Sequence, residues 1–232
     1  MQKRSLGESG LIQGIFTAFP ICLGYLPIGF AFGILAQKSG LSVIEVCLMS
    51  MVLFAGSAQF ITIAMINGGF SFFSIISTIF IVNLRHFLMS STLSIYLKNE
   101  NRFKLAFMAH TITDESFVVN IQKFKEGKWD LNRTTATNYT AYFAWFISSV
   151  FGYYGGEFIP PNSFGINYAL IAMFICLLIF QLNGKIYLIV AIVSGVLSVT
   201  LSLFISGTSY IILASLFAPT AVITLKRVFY GR

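Results

Sequence analysis

Long apolar tracts separated by short charged connectors set the pattern of this chain. No Asp, Glu, Lys or Arg occurs between Glu8 and Lys38, between Glu45 and Arg85, between Arg133 and Glu157, or between Glu157 and Lys185, and a last tract runs from Lys185 to Lys226. Each tract can hold one crossing of about 20 apolar residues, and two are long enough for two crossings. Helices are expected near 11–37, 43–66, 71–97, 134–156, 165–183, 186–205 and 208–225, with a polar helix near 103–122. The breaks have local causes: Asn67-Gly68-Gly69, Pro160-Pro161-Asn162, Asn183-Gly184-Lys185 and Ser206-Gly207-Thr208-Ser209 are turn-forming clusters.

This pattern predicts an all-α polytopic membrane protein with about seven transmembrane helices, within a range of six to eight, in a single transmembrane domain over 1–232. The placement of Lys and Arg orients it, because basic residues gather on the cytoplasmic side. With seven crossings and the N-terminus outside, only Lys3 and Arg4 are left outside. With all eight segments crossing, Lys38, Lys98, Arg102 and Lys104 are outside. A first segment that re-enters at Pro20 and Pro27 puts every connector Lys and Arg inside. The C-terminus is cytoplasmic in each arrangement. With seven crossings, the triplets 11–97 and 134–205 enter from opposite sides, as in inverted-repeat transporters, with the polar helix and basic loop 98–133 between them.

Composition agrees with the pattern. Mean hydropathy is +0.82 and only 10% of the 232 residues are charged, against about a quarter in soluble domains. The net charge of +7 lies in connectors, as in basic cytoplasmic loops, and is no nucleic-acid footprint. The apolar run from Leu11 to Ala36 is too long for the core of a cleavable signal peptide. Cys22, Cys47 and Cys176 lie in or beside apolar segments without metal-ligand spacing. No phosphate-binding GxxxxGK[ST] motif occurs, so ATP hydrolysis would need another subunit. No HExxH and no nucleophile elbow suggests an intramembrane enzyme, and no cofactor is called for.

Polar groups inside the apolar tracts are the candidates for function. FPICLGYLPIGFAFG places Pro20, Gly24, Pro27, Gly29 and Gly33 in one segment. Each proline removes a backbone donor. The segment is read either as a discontinuous helix whose freed backbone near Pro27 binds substrate, or as a kinked helix packed through its glycine face. AGSAQF, residues 55–60, offers Gly56, Ser57 and Ala58 for close helix packing. Gln59 in the same stretch is either interhelical glue or a group facing a central cavity.

Arg85 stands about halfway along an apolar span, in IVNLRHFLMSS. Hydrocarbon penalises a guanidinium by several kcal/mol or more, so Arg85 must face protein or a wet cavity. Asn83 and His86 share a helix face three residues apart, and Arg85 projects about 100° from His86. A partner carboxylate is expected from HTITDES, with His110 and Asp114 on one helical face and Glu115 rotated off it. The expected pair is Arg85 with Asp114 or Glu115, serving either to pin helix 103–122 or to be exchanged during transport. A metal site from His86, His110 and Asp114 has no supporting spacing. Gln181 and Asn183, in IFQLNGK, read first as a helix end and turn. Trp145 and Tyr142 are expected to pack, and Trp129 to sit at a membrane interface.

The proline-glycine first helix ending in GFAFG, then AGSAQF, NLRHFLMS and TDESF, in that order and at similar spacing, resembles the AzlC family of branched-chain amino acid exporters. The resemblance covers most of residues 11–205 and is strongest from Phe19 to Phe117. From Asn162 onward it rests on hydropathy and the GINYALIAMF run. It implies a multi-pass protein of the bacterial plasma (inner) membrane that exports valine, leucine, isoleucine, related amino acids such as methionine, or toxic analogues. It also implies a second, small membrane subunit of the AzlD type.

Together these readings predict a secondary transporter working by alternating access in the lipid bilayer. The substrate carboxylate would meet a helix N-terminus or Arg85, while backbone carbonyls and Gln59 would meet its ammonium. Asp114, Glu115 and the histidines are candidates for proton coupling. The competing reading is a non-transporting scaffold subunit whose partner forms the substrate path. The site candidates are Pro27, Gln59, Asn83, Arg85, His86, Asp114 and Glu115.

Overall fold

The computed structural model describes residues 2–98, 100–127, 129–159, 175, 178–179, 182, 184–205 and 209–230. The elements in order are α1 (Gln2–Lys38), α2 (Val43–Leu48) continued by a π-turn (Met49–Leu53), α3 (Gly56–Asn67), α4 (Phe72–Ser94), α5 (Arg102–His110), α6 (Asp114–Lys125), α7 (Leu131–Gly155) ending in a 3₁₀ turn (Gly156–Phe158), α8 (Lys185–Ser202) and α9 (Ser209–Tyr230). Gly10–Lys38, Phe72–Ser94 and Lys185–Ser202 are long and apolar enough to cross a membrane. The chain is a helical membrane protein. The expected span 165–183, with Cys176, Gln181 and Asn183, lies largely or wholly outside the described residues, as do Pro160-Pro161-Asn162 and 206–208.

The described residues fall into two compact units, one within Met1–Ala64 with Val82–Ala169, the other within Met65–Ile81 with Leu170–Arg232. In the second, α8 and α9 pack on one another. Leu188, Ile192, Val196 and Val199 of α8 are exposed, as suits a lipid-facing helix. All the site geometry below belongs to the first unit.

Helix α1 corrects one expectation. It runs unbroken for 37 residues through Pro20 and Pro27, so the first segment is neither discontinuous nor re-entrant. Seven residues apart, the prolines share one face, and that face is exposed. Each removes a single backbone bond, and the remaining ladder carries the helix through. The opposite face presents Gly14, Gly29 and Gly33 to α7. A Cβ on Gly14 would come within 2.6 Å of the Arg133 carbonyl oxygen, and one on Gly33 would overlap the backbone of Ser149–Tyr153. From the other side, a Cβ on Gly152 would overlap the Phe30 carbonyl. Backbone approach this close needs glycine on both helices.

The discontinuities lie elsewhere. The segment expected as one helix over 43–66 is interrupted at Phe54-Ala55. The π-turn ends with the Phe54 N–H donating to the Met49 carbonyl at 3.2 Å, and Phe54 takes a left-handed conformation, φ +28° and ψ 57°. Such backbone is strained for an aromatic residue. The ring of Phe54 is held edge-on by Tyr142, centroids 4.7 Å apart.

A second correction concerns 103–122, expected as one polar helix. It is two short helices, α5 and α6, parted at Thr111–Thr113. Thr113 caps α6: its hydroxyl accepts from the Ser116 N–H, and the Ser116 hydroxyl accepts in return from the Thr113 N–H. His110 and Asp114 therefore do not share a helical face. Met89, Leu93, Leu97, Met108, Ile112, Phe124 and Leu131 form an apolar cluster around these short helices.

Candidate functional site

The two interruptions meet. The Met51 carbonyl, released from helical bonding by the break after Leu53, accepts from His110 Nε2 at 3.0 Å and from the Tyr142 hydroxyl at 3.1 Å. A carbonyl only accepts, so His110 carries its proton on Nε2. One orphan acceptor of the first break is thereby satisfied from the residue that ends α5 and from α7.

Arg85 joins the far sides of the same breaks. Its Nη1 lies 2.5 Å from Asp114 Oδ2, and its Nη2 donates to Ser57 Oγ. Ser57 is the second residue of α3 and Asp114 the first of α6. One guanidinium on α4 thus links the first turns of two half-helices. The carboxylate at the α6 N-terminus is also favoured by the helix dipole. Arg85 Nε is buried and has no hydrogen-bond partner among the described residues.

Glu115, the neighbouring acid, turns to α1. The Tyr25 hydroxyl lies 2.7 Å from Glu115 Oε2 and 2.6 Å from Thr113 Oγ1. A phenol has one proton, so Tyr25 donates to the carboxylate and receives from Thr113. Tyr25 is buried and meets the indole of Trp145 edge-on at 5.4 Å. Trp145 Nε1 in turn donates to Gln59 Oε1 at 2.8 Å. Contacts run in a closed ring from Gln59 and Ser57 on α3, through Arg85 on α4, to Asp114 and Glu115 on α6, Tyr25 on α1 and Trp145 on α7.

Among the sequence candidates, this geometry brings together Arg85, Asp114, Glu115 and Gln59. Pro27 is exposed on the outer face of α1 and is not part of the ring. Asn83 and His86 stand on other faces of α4, and Asn83 Oδ1 is buried without a partner among the described residues. Gln59 is fully buried, and its amide nitrogen is the group without a partner among the described residues. That group donates, so it does not suit the ammonium assigned to it from the sequence. The sequence reading missed Tyr25, the Gln59 bond of Trp145 and the Met51 carbonyl, none of which carries a local signal. The break before α6 did have one: a Thr three residues before a Ser, with two acids in the first turn, marks a helix start.

A separate polar group supports α6 from below. Asn120 Nδ2 donates to the Ser116 carbonyl at 2.7 Å and to Asn138 Oδ1 at 2.8 Å, while its Oδ1 accepts from Trp129 Nε1 at 2.9 Å. Asn138 Nδ2 reaches the Met108 carbonyl at 3.4 Å. Trp129, expected at an interface, is thus tied into this group.

Comparison with known proteins places this chain in a family. The family profile described as AzlC protein matches residues 20–159. The chain is 26% identical over 231 residues to the branched-chain amino acid transport protein AzlC of Bacillus subtilis (strain 168), covering 98% of this chain and 89% of that protein. It is 27% identical over 204 residues to the inner membrane protein YgaZ of Escherichia coli (strain K12), covering 84% and 83%. An uncharacterized membrane protein of Archaeoglobus fulgidus is 29% identical over 225 residues, covering 93% and 95%. No solved structure matches the chain.

Proposed function

The chain belongs to the AzlC family, and from that premise we propose that it is a secondary transporter exporting branched-chain or related apolar amino acids with a small membrane partner of the AzlD type. The observation that carries the reading is Arg85 bound at once to Ser57 and Asp114, a charged link between two interrupted helices. Interrupted helices and buried ionisable groups are where membrane transporters handle polar cargo. A substrate carboxylate competes with Asp114 for the guanidinium. When it wins, the bond between the α3 and α6 first turns is released, and binding is coupled to helix movement. Glu115, held by Tyr25 and in no ion pair among the described residues, is the acid that carries a coupling proton in this reading.

The reading extends to a multi-pass arrangement in the bacterial plasma membrane with a cytoplasmic C-terminus. It keeps the inverted repeat of 11–97 and 134–205. In support, α1 and α7, the first helix of each half, pack backbone to backbone through glycines.

The test is accumulation and efflux of labelled valine, leucine, isoleucine, methionine and alanine in cells expressing the chain with and without the small partner. Export of the branched-chain set that requires the partner is the expected result. A well-expressed pair that moves none of these amino acids would overturn the proposal.

A further inference from the structure

The first turns of α3 and α6 differ in how their backbone is satisfied. Every helix begins with N–H groups that lack intrahelical acceptors. On α6 the Thr113–Ser116 capping box supplies acceptors for the Ser116 and Thr113 N–H groups. α3 starts at Gly56, so the residue before it is Ala55, whose side chain accepts nothing, preceded by the left-handed Phe54. Alanine is among the poorest residues at this position. The turn is nonetheless inside the protein: Ala55, Ser57 and Ala58 are all buried.

Gln59 sits over this turn. Helical side chains lean toward the helix N-terminus, so a residue covers the turn before its own Cα. The Trp145 indole bonded to Gln59 also lies across Gly56, where a Cβ would come within 2.8 Å of its Cη2. Trp145 Nε1 only donates, which fixes the amide orientation: Oε1 faces the indole and Nε2 faces away. Nε2 has no partner among the described residues, in a side chain with no exposed surface. Leaving a buried donor unpaired is costly. On the Ser57 side of the same turn stands Arg85, with Nε likewise unpartnered among the described residues. A helix start whose capping position offers no side-chain acceptor, an amide donor and a guanidinium all call for one kind of ligand group, an anionic acceptor.

We propose that the first turn of α3, flanked by Gln59 Nε2 and Arg85, is the subsite for the α-carboxylate of the transported amino acid, with Trp145 holding Gln59 in its donating orientation. This rests on the transport reading above and assigns it a binding point. Phe32, stacked on Trp145 at 6.1 Å and set edge-on to Phe60 at 5.6 Å, makes the surroundings apolar, which strengthens each donor.

The test compares wild type, Gln59→Met and Trp145→Phe, each expressed with the small partner. Leucine efflux is measured across a concentration series, with leucinol, which keeps the amine and side chain but lacks the carboxylate, as competitor. A carboxylate subsite predicts that Gln59→Met raises the half-saturating leucine concentration about tenfold or more, the loss expected for a hydrogen bond to a charged group. It leaves leucinol competition unchanged, and Trp145→Phe has the smaller effect on leucine. If Gln59 serves only to bond Trp145, the two variants match each other and discriminate leucine from leucinol as wild type does. That result overturns the subsite while leaving transport standing. Wild-type cells that move no branched-chain amino acid remove the transport reading and the subsite with it. Should Gln59→Met not reach the membrane, Gln59→Leu, which likewise lacks the amide donor, is measured with the same two outcomes.

Discussion

His110 Nε2 donates to the Met51 carbonyl across 3.0 Å, so the end of one half-helix satisfies the break in another. With the Tyr142 hydroxyl on the same oxygen, the strained turn at Phe54 is held from two other segments. The interruption is therefore a property of the assembled bundle and not of residues 49–55 alone.

His110→Leu and Tyr142→Phe each remove one of two donors to that carbonyl. Each single change is expected to cost about 0.5–1.5 kcal/mol, the net worth of one hydrogen bond. The double variant leaves the acceptor unpaired, and its loss should exceed the sum by about 1 kcal/mol or more. Thermal unfolding of the purified protein in detergent checks this. Strict additivity would mean that the carbonyl finds another donor.

Reversing the ion pair separates support from transport. Arg85→Asp with Asp114→Arg restores opposite charges but moves the guanidinium from α4 to α6 and away from Ser57. The double variant is expected to reach the membrane at wild-type levels, while efflux stays at least about tenfold below wild type because the charged donors no longer flank α3. Recovery of efflux in the swap would make the pair architectural.

Glycine substitutions on α1 and α7 should divide by what each Cβ would meet. At Gly152 it would overlap the Phe30 carbonyl, whereas at Gly24 nothing lies within 4 Å. Gly152→Ala is expected to lower stability by about 1–3 kcal/mol as the helices are forced apart. Gly24→Ala should raise it by up to about 1 kcal/mol through helix propensity. Thermal shifts of opposite sign are the readout.

Asn120 uses both amide hydrogens and its oxygen, toward Ser116, Asn138 and Trp129. Asn120→Leu leaves Trp129 Nε1 and Asn138 Oδ1 without these partners, at about 1–3 kcal/mol for each group. A fall in melting temperature is expected, with the half-saturating leucine concentration unchanged, since none of these groups touches Arg85, Gln59 or Ser57.

What the sequence determined by itself is what depends on composition and short-range spacing. Charge-free tracts specify membrane helices because hydrocarbon rejects ions. A lone Arg85 in such a tract requires an acid nearby, which the sequence narrows to Asp114 or Glu115; the structure gives Arg85 to Asp114 and Glu115 to Tyr25. The tertiary structure alone decided which helix breaks. Pro20 and Pro27 are the loudest local signals, yet each costs α1 one backbone bond on an exposed face, and packing against α7 keeps the helix whole. Met49–Ala55 contains no proline or glycine, yet the chain opens there because His110 and Tyr142 supply donors to the Met51 carbonyl that the break exposes. Those partners lie 59 and 91 residues away along the chain, beyond the reach of any pattern in the segment itself.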